Sequence, residues 1–363
     1  MSQSVGDVLL VGSVPLDSAE EVFKTCAEGL GDHLKLYPDG EVGARKSWIQ
    51  CQAKFVFDRH PAIDTVKRPR SDDGFPREYD DNWIFRLRSG TEGIHFDDLK
   101  YAGWASESYA TFHGLRAQGA IPRGARFQVS LPTPVGGSTP FFDQPHDREL
   151  VCDAYELAMM REVGEICRRI PHEDLAIQWD VCTEVLEIAA AEQTQTHAGD
   201  GGSLANLLTP DPWIRAAAQF ERISTAIPPA VMLGFHFCYG DLAHHHLVEP
   251  ENLALSVRMA NLAISHSVRP VSWIHMPVPI GRADEAYFAP LRELSSRDAA
   301  VFLGLIHLDD GVEGSVKRAA AARSFLQKFG VATECGLGRR PRETLVDVLR
   351  IHREVADRLA PGF

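Results

Sequence analysis

The sequence has no long apolar run and no excess of basic residues. A membrane helix needs about 20 consecutive apolar residues, and no stretch of this chain approaches that length. The 363 residues include 37 Lys and Arg against 50 Asp and Glu, a formal charge of −13. Because phosphate backbones are bound by clustered basic side chains, this balance argues against a nucleic-acid-binding protein. The N-terminal residues also lack the basic segment of a signal peptide, so we expect a cytoplasmic protein that binds no membrane.

Closely paired cysteines are absent as well. Seven cysteines are scattered along the chain without a Cys-x-x-Cys motif. An odd number at irregular spacing argues against a disulfide framework and predicts reduced thiols. Hydrophobic residues make up 44% and charged residues 24% of the chain, so we expect a soluble globular protein with a sizeable core.

Short apolar runs alternate with stretches of helical period through most of the chain. Strands this apolar are typical of a parallel sheet covered by helices on both faces. Eight such units predict an α/β fold, a single (β/α)8 TIM barrel over residues 1–363. The predicted strands are residues 8–14, 34–37, 127–131, 175–179, 232–239, 270–276, 301–306 and 331–333. The predicted helices include residues 18–30, 147–169, 212–225, 251–266, 312–329 and 342–359.

The regular alternation is interrupted once, between residues 61 and 126, after the second predicted strand. This segment is rich in aromatic residues, which favours an ordered structure over a disordered excursion. Long insertions on a barrel are usually functional loops, so we expect residues 61–126 to form an inserted lid or loop.

Each predicted strand ends in polar or reactive side chains. In a (β/α)8 barrel the active site lies at the carboxyl ends of the strands, so this pattern predicts an enzyme whose site is built there. The residues at these ends are Gly12, Ser13, Asp39, Gly40, Glu41, Thr133, Asp180, Glu184, His236, Cys238, His275, His307, Asp309, Glu334 and Cys335.

The sequence His236-Phe-Cys238, together with the distant Cys335, predicts a metal site. Side chains two residues apart on a strand point to the same side, so His236 and Cys238 can bind one ion that Cys335 completes. Imidazole and thiolate ligands favour Zn²⁺ over magnesium or calcium. His275 ends the next predicted strand and is either a fourth ligand or a residue that supports a ligand or the substrate. The alternative is that His236 and Cys238 are ordinary core residues.

A zinc site with thiolate ligands favours chemistry on a substrate thiol, because a coordinated thiol is deprotonated and nucleophilic at neutral pH. Glu41, Asp180 and Glu184 are candidates for binding the substrate, and Glu41 and Asp180 are also candidates for acid–base catalysis. The alternative for these carboxylates is structural pairing with basic side chains, namely Arg45, Arg86 and Arg88. Further candidates are His307 for catalysis and Arg45 and Thr133 for substrate binding.

Six short motifs, in this order, resemble the C-terminal catalytic barrel of cobalamin-independent methionine synthase, whose superfamily also includes the uroporphyrinogen decarboxylases. The motifs are Val11-Gly-Ser13, Asp39-Gly-Glu41, Leu131-Pro-Thr133, Gln178-Trp-Asp180, His236-Phe-Cys-Tyr239 and Glu334-Cys-Gly-Leu337. The resemblance covers nearly the whole chain. It implies a zinc ion, held by His236, Cys238 and Cys335, that presents a substrate thiolate to an alkyl donor. The residues that it implies for holding homocysteine are Gly12, Ser13, Glu41 and Asp180.

The sequence departs from that family in three features. It lacks the additional N-terminal barrel of the long synthases and resembles the short, core-type members. His275 stands where the family places a glutamate ligand, which makes the site less anionic. The spacing between Glu41 and Arg45 also differs from the family pattern. These differences leave the thiol and the donor open, with a folate or a methoxy compound among the candidate donors.

We therefore expect zinc-dependent alkyl transfer, in the first place methyl transfer, to a small-molecule thiol. Two other enzymes remain alternatives: a thiol alkyltransferase of the epoxyalkane:coenzyme M transferase type, and a metal-free lyase or decarboxylase on the same barrel. A carrier that binds a metal or a ligand without catalysis is a further alternative. A homo-oligomer is compatible with the sequence.

Overall fold

The sheet that carries the site is parallel. The computed structural model describes residues 7–78, 80–196, 208, 211–241, 246–296 and 298–359. The strands in this part of the chain are β1 (Leu36–Pro38), β2 (Ile63–Lys67), β3 (Ile84–Leu87), β4 (Arg126–Pro132), β5 (Leu175–Val181), β6 (Met232–Phe237), β7 (Trp273–Pro277), β8 (Ala300–Ile306) and β9 (Gly330–Thr333). One parallel sheet has the order β1-β4-β5-β6-β7-β8-β9, and β2 and β3 form a separate antiparallel ribbon. Every residue of β5 and β6 is buried, as expected for strands covered on both faces.

Helices alternate with the strands of the parallel sheet. They are α1 (Ala19–Leu30), α2 (Gln50–Phe55), α3 (Tyr101–Ala117), α4 (Pro134–Ser138), α5 (Pro145–Arg169), α6 (Thr183–Thr196), α7 (Pro212–Thr225), α8 (Ala254–His266), α9 (Glu285–Phe288), α10 (Gly311–Arg323) and α11 (Leu345–Leu359). Capping side chains fix the first residue of several of these helices. The Ser18 hydroxyl accepts a hydrogen bond from the Glu21 amide at 3.2 Å before α1, and the Asp211 carboxylate accepts one from the Trp213 amide at 2.9 Å at α7. A membrane-crossing helix, which must be both long and apolar, is not found within the described ranges.

Seven of the eight predicted strands are present in the parallel sheet, but the first one is not. Residues 8–14 make isolated bridges only: Val8 pairs with Leu34 and with Val331, and Ser13 pairs with Gly40. The segment thus runs between the two edge strands of a curled sheet. The prediction of eight regular strands is therefore corrected to seven strands and one irregular segment.

The local sequence explains this irregularity. The Ser13 carbonyl accepts a hydrogen bond from the Leu337 amide at 2.7 Å, and its hydroxyl accepts one from the Gly338 amide at 3.1 Å. Pro15, two residues after Ser13, has no amide hydrogen to donate. Regular pairing therefore stops where the chain turns toward the loop that carries Cys335.

Residues 61–126 contain the β2–β3 ribbon and helix α3. Helix α3 packs against α1 and α5, so it belongs to the helical layer around the sheet. The ribbon is anchored by Phe85, which bridges Phe142 and whose ring centroid lies 5.9 Å from that of Phe57. Trp83 and Phe96 are buried as well. The aromatic residues of this segment therefore hold an ordered structure against the body of the protein.

Candidate metal centre

Three predicted ligands converge at the carboxyl ends of the strands. His236 lies near the end of β6, Cys238 follows that strand, and Cys335 follows β9. One donor atom from each residue lies within 4.8 Å of the other two. Residues 236 and 238 share a side of the chain because of the two-residue period of a strand. The curvature of the sheet brings the loop after β9 to the same place.

The spacing of these donors fits a tetrahedral zinc site. Two sulfurs that each lie about 2.3 Å from one zinc ion at a tetrahedral angle are about 3.8 Å apart. The Sγ atoms of Cys238 and Cys335 are 3.9 Å apart. Nε2 of His236 is buried and has no hydrogen-bond partner among the described residues, which is unusual unless another group occupies its lone pair. Three protein donors leave one of four positions for substrate or water.

His275 lies behind His236 and outside the group of three donors. The two residues are paired in register on β6 and β7, and their Nδ1 atoms are 2.7 Å apart. His275 is fully buried, and burial lowers its pKa well below the usual value, an effect to which the neighbouring His236 adds. A neutral His275 can therefore hold His236 in one ring orientation, which is the supporting role considered from the sequence.

Three residues at this centre were not singled out from the sequence. Cys182 packs with Cys238 in a small buried cluster. Arg339 Nη2 lies 3.5 Å from the Sγ of Cys335 and donates to Asp241 Oδ2 at 2.7 Å. In the sequence, only their position could have indicated these residues, since each follows the end of a strand by a few residues.

A cavity of about 520 Å³ contains the three donors in its wall. The other predicted residues that line it are Gly12, Ser13, Glu41 and Asp180. Its apolar side is formed by Trp48, Ile49, Trp83, Ile84, Phe141 and Phe142. Trp83 and Ile84 lie at the β2–β3 ribbon, so residues of the 61–126 segment form part of the wall. This size and composition are typical of small-molecule sites.

Glu41 and Asp180 place two carboxylates in the same cavity. Burial raises the pKa of Asp180 to about 7, although Gln178 donates a hydrogen bond to it at 2.9 Å. Burial also raises the pKa of Glu41 to about 8; the charge of Asp180 adds to this rise, and Arg45 opposes it. Carboxylates with pKa values near neutrality in a cleft are a mark of functional sites. A bound cation would compensate both charges.

The chain beside Glu41 is held in a conformation that L-residues rarely adopt. Glu41, Ser47 and Trp48 have φ values of 50°, 80° and 53°, each of which costs on the order of 1 kcal/mol. The indole N–H of Trp48 lies beside the Asp180 carboxylate and opposes the rise in its pKa. Strain of this kind concentrates where side chains must be presented to a ligand.

Gly12 and Ser13 shape the cavity through close backbone contacts. A Cβ atom on Gly12 would lie 2.6 Å from Glu41 Oε1, so glycine lets this carboxylate approach the main chain. The Ser13 hydroxyl is already bonded to the Gly338 amide. Ser13 therefore helps to fix the loop after Cys335, and its O–H hydrogen remains available to donate into the cavity.

Arg45 and Thr133 lie outside the cavity wall. Arg45 donates to Asp39 Oδ2 at 2.6 Å, and Asp39 Oδ1 accepts from the Glu41 amide at 3.1 Å. Thr133 caps helix α4, where its hydroxyl accepts from the Gly136 amide at 3.0 Å. Both residues thus make positioning contacts next to the cavity, and their roles in substrate binding stay predictions.

Glu184 and His307 also lie outside the cavity wall. Glu184 is buried and accepts a hydrogen bond from Gln219 at 2.5 Å, and burial raises its pKa. His307 Nε2 lies 2.9 Å from the carbonyl oxygen of Val278, and burial lowers the pKa of this imidazole to about 4. His307 is therefore a neutral buried side chain that bonds to the main chain.

The fold is similar to that of an enzyme of known structure. A B12-independent methionine synthase from Shewanella sp. W3-18-1, in complex with selenomethionine, matches over 98% of both chains with a TM-score of 0.59 at 13% identity. At this identity the match shows a shared fold. A methyltransferase from Methanosarcina mazei matches over 76% of this chain and 72% of its own, with a TM-score of 0.47 and 11% identity. No protein-family model and no curated protein match the sequence.

Proposed function

We propose that this chain is a zinc-dependent transferase that moves an alkyl group, most simply a methyl group, to the sulfur of a small thiol. The observation that carries the proposal is the convergence of His236, Cys238 and Cys335 within 4.8 Å, in a cavity that also contains Glu41 and Asp180. The fold shared with a methionine synthase supports it.

His236, Cys238 and Cys335 would hold the metal. Zinc would supply a deprotonated, nucleophilic substrate sulfur at neutral pH. The role of the protein is then to orient the His236 ring, through its contact with His275, and to keep both cysteines in place. Three protein donors leave the remaining position for the thiol.

Glu41 and Asp180 would bind a cationic part of the thiol substrate. The two carboxylates are buried together, and Arg45 is already paired with Asp39. An amino group placed between them would offset the burial and the repulsion from Asp180 that together raise the pKa of Glu41. This supports an amino-acid thiol as substrate, and the methionine synthase of similar fold holds selenomethionine, an amino acid with a methylated selenium. With a thiol that carries no cationic group, their pKa values would stay near about 8 and 7, and the same carboxylates would then be candidates to protonate the leaving group.

The aromatic side of the cavity would hold the alkyl donor. Trp48 and Trp83 line it, together with Ile84 of the ribbon. Apolar walls of this kind exclude water from the reacting atoms. The donor would thus lie between the metal centre and the ribbon, as expected of an inserted lid.

We also interpret the sheet as a TIM barrel in which residues 8–14 stand in for one strand. The support is the double bridge of Val8 to Leu34 and Val331. In a closed barrel all strand ends face one cavity, which accounts for the contact of Ser13 with the loop after Cys335.

The experiment is a metal and product analysis of one preparation. Zinc per chain is measured first, and thiol methylation is then followed by mass spectrometry with homocysteine and a methyl-folate as probes. The proposal expects one zinc per chain and methyl transfer that requires it. Little or no zinc, together with no methylated thiol, would favour a metal-free lyase or decarboxylase. A carrier would be favoured if the protein retains zinc but forms no methylated product, and if the Glu41→Gln and Asp180→Asn proteins bind as much zinc as the wild type.

A further inference from the structure

The two cysteine sulfurs of the candidate metal centre lie in different surroundings. Cys238 is only 7% exposed and packs against Cys182 and Leu186. Cys335 is partly exposed and has a guanidinium group, that of Arg339, at 3.5 Å from its sulfur. A reagent in the cavity therefore has better access to Cys335.

Arg339 is fixed in place by a second contact. Its Nη2 donates to Asp241 Oδ2 at 2.7 Å, and the two side chains are 22% and 10% exposed. Asp241 follows β6 and Arg339 follows β9, so this ion pair joins the loops behind the two ligand-bearing strands. A guanidinium keeps its charge at any accessible pH. Arg339 is therefore a permanent hydrogen-bond donor beside Cys335.

The proposed function, on which this inference rests, creates a problem of selectivity. The centre would hold two cysteine thiolates beside the substrate thiolate, and any of the three could attack the alkyl donor. Attack by Cys335 would form a carbon–sulfur bond and break the bond from carbon to the leaving group, which departs with the bonding electrons. The product is a thioether, which no longer carries the negative charge of a zinc-binding thiolate.

A charge-assisted hydrogen bond to a thiolate withdraws electron density from the sulfur and occupies one of its lone pairs. The sulfur is then a poorer nucleophile. We propose that Arg339 is a specificity-determining residue that protects Cys335 from alkylation and so directs the alkyl group to the substrate sulfur. Cys238 does not need such a partner, because it is only 7% exposed, whereas Cys335, which packs against the same apolar cluster, is partly exposed.

The test uses zinc-loaded full-length protein and iodoacetamide as the alkylating probe. Wild-type protein is compared with Arg339→Gln and Arg339→Lys. The matched control is Arg342→Gln, which removes an exposed arginine that pairs with Asp17 and Glu21. Zinc content is measured before the reagent is added, and the Cys335 adduct is then followed over time by peptide mass spectrometry.

We expect Cys335 to be alkylated about tenfold faster in Arg339→Gln than in wild type, because the variant lacks one hydrogen bond to the charged sulfur. Arg339→Lys, which keeps the charge without the planar donor, should lie between them. Arg342→Gln should match the wild type. A structural role alone would not produce this order.

Two results overturn the inference while leaving the proposed function intact. One is labelling of Cys335 at the wild-type rate in zinc-loaded Arg339→Gln protein. The other is loss of zinc from that variant, since Arg339 would then be needed to hold the metal rather than to protect the ligand. A wild-type protein that takes up no zinc refutes the proposed function itself. The Arg339→Lys protein keeps the comparison possible if Arg339→Gln does not fold.

Discussion

The Nδ1 atoms of His236 and His275 lie 2.7 Å apart, so one ring must donate a hydrogen bond from its N–H and the other must accept it. If Nε2 of His236 binds a metal, its Nδ1 carries the hydrogen and donates to His275. His275 must then be neutral with a free lone pair on Nδ1, a state that its burial favours. Partners of this kind orient metal-binding histidines.

Replacement of His275 should weaken metal binding most when the new side chain cannot accept a hydrogen bond from His236. Glutamine can accept the Nδ1 hydrogen of His236, whereas phenylalanine cannot. We expect His275→Phe to lower zinc affinity by about 10–100-fold and His275→Gln to lower it less. Competition with a chromophoric chelator measures both affinities. Equal affinities for the two variants would contradict the role of His275 as an acceptor.

The buried carboxylates should destabilise the protein as the pH rises. Burial, followed by repulsion from Asp180, raises the pKa of Glu41 from an ordinary 4.5 to about 8 in the folded state. The folded protein thus binds the proton more tightly than the unfolded chain does. The corresponding stabilisation is fully present below about pH 4.5 and is lost as the pH rises toward 8.

Glu41→Gln should remove this dependence. Between pH 4.5 and pH 8, the wild-type protein should lose free energy of unfolding that the variant keeps. We expect this difference between the two proteins to be on the order of 2 kcal/mol. Urea unfolding across this range measures the difference, and the exposed Glu107→Gln on α3 serves as the control. A Glu41→Gln curve parallel to that of wild type would show that Glu41 is not held in a raised-pKa environment.

Gly12→Ala should impair substrate binding without removing the metal. The added Cβ would meet Glu41 Oε1 at 2.6 Å and Ser130 Oγ at 3.1 Å, so the carboxylate must move. We expect KM for the thiol to rise about tenfold, equivalent to about 1.4 kcal/mol, at unchanged zinc content. Gly93→Ala, where a Cβ would meet nothing within 4 Å, is the matched control. A normal KM in Gly12→Ala would remove Glu41 from the substrate site.

Gly234→Ala should destabilise the strand that presents His236. A Cβ at this position would lie 1.9 Å from the ring of Trp273, a fully buried side chain of β7. Overpacking of this kind costs about 1–3 kcal/mol. Thermal unfolding should show a lower Tm, whereas Gly164→Ala in the exposed part of α5 should leave Tm equal or raise it. An unchanged Tm for Gly234→Ala would mean that β6 and β7 are less tightly packed than described.

Periodicity and turn residues predicted most of the fold. The predicted bounds of α7 agree with Pro212–Thr225, since Asp211 and Pro212 mark its start in the sequence. The segment 8–14 was predicted as a strand because it is apolar. Whether an apolar segment pairs regularly depends on neighbours that are distant in sequence, and here the loop at 337–338 competes for Ser13.

The metal ligands could be predicted and their surroundings could not. His236 and Cys238 follow from the two-residue period of a strand. The sequence could not show whether Arg45 faces Asp39 or Glu41, because the turn between them decides this, with φ of 80° at Gly40 and 50° at Glu41. The contact of Arg339 with Cys335 depends on where two loops meet. No local pattern encodes such a meeting.

X-ray absorption at the zinc edge tests the central claim most directly. For wild-type protein loaded with one zinc per chain, we expect two sulfur donors at about 2.3 Å and one imidazole nitrogen at about 2.0 Å. Addition of a substrate thiol should bring a third sulfur to the ion, and Cys335→Ala should remove the metal from a protein that stays folded. A chain that binds no zinc, or binds it without sulfur donors, would contradict the account.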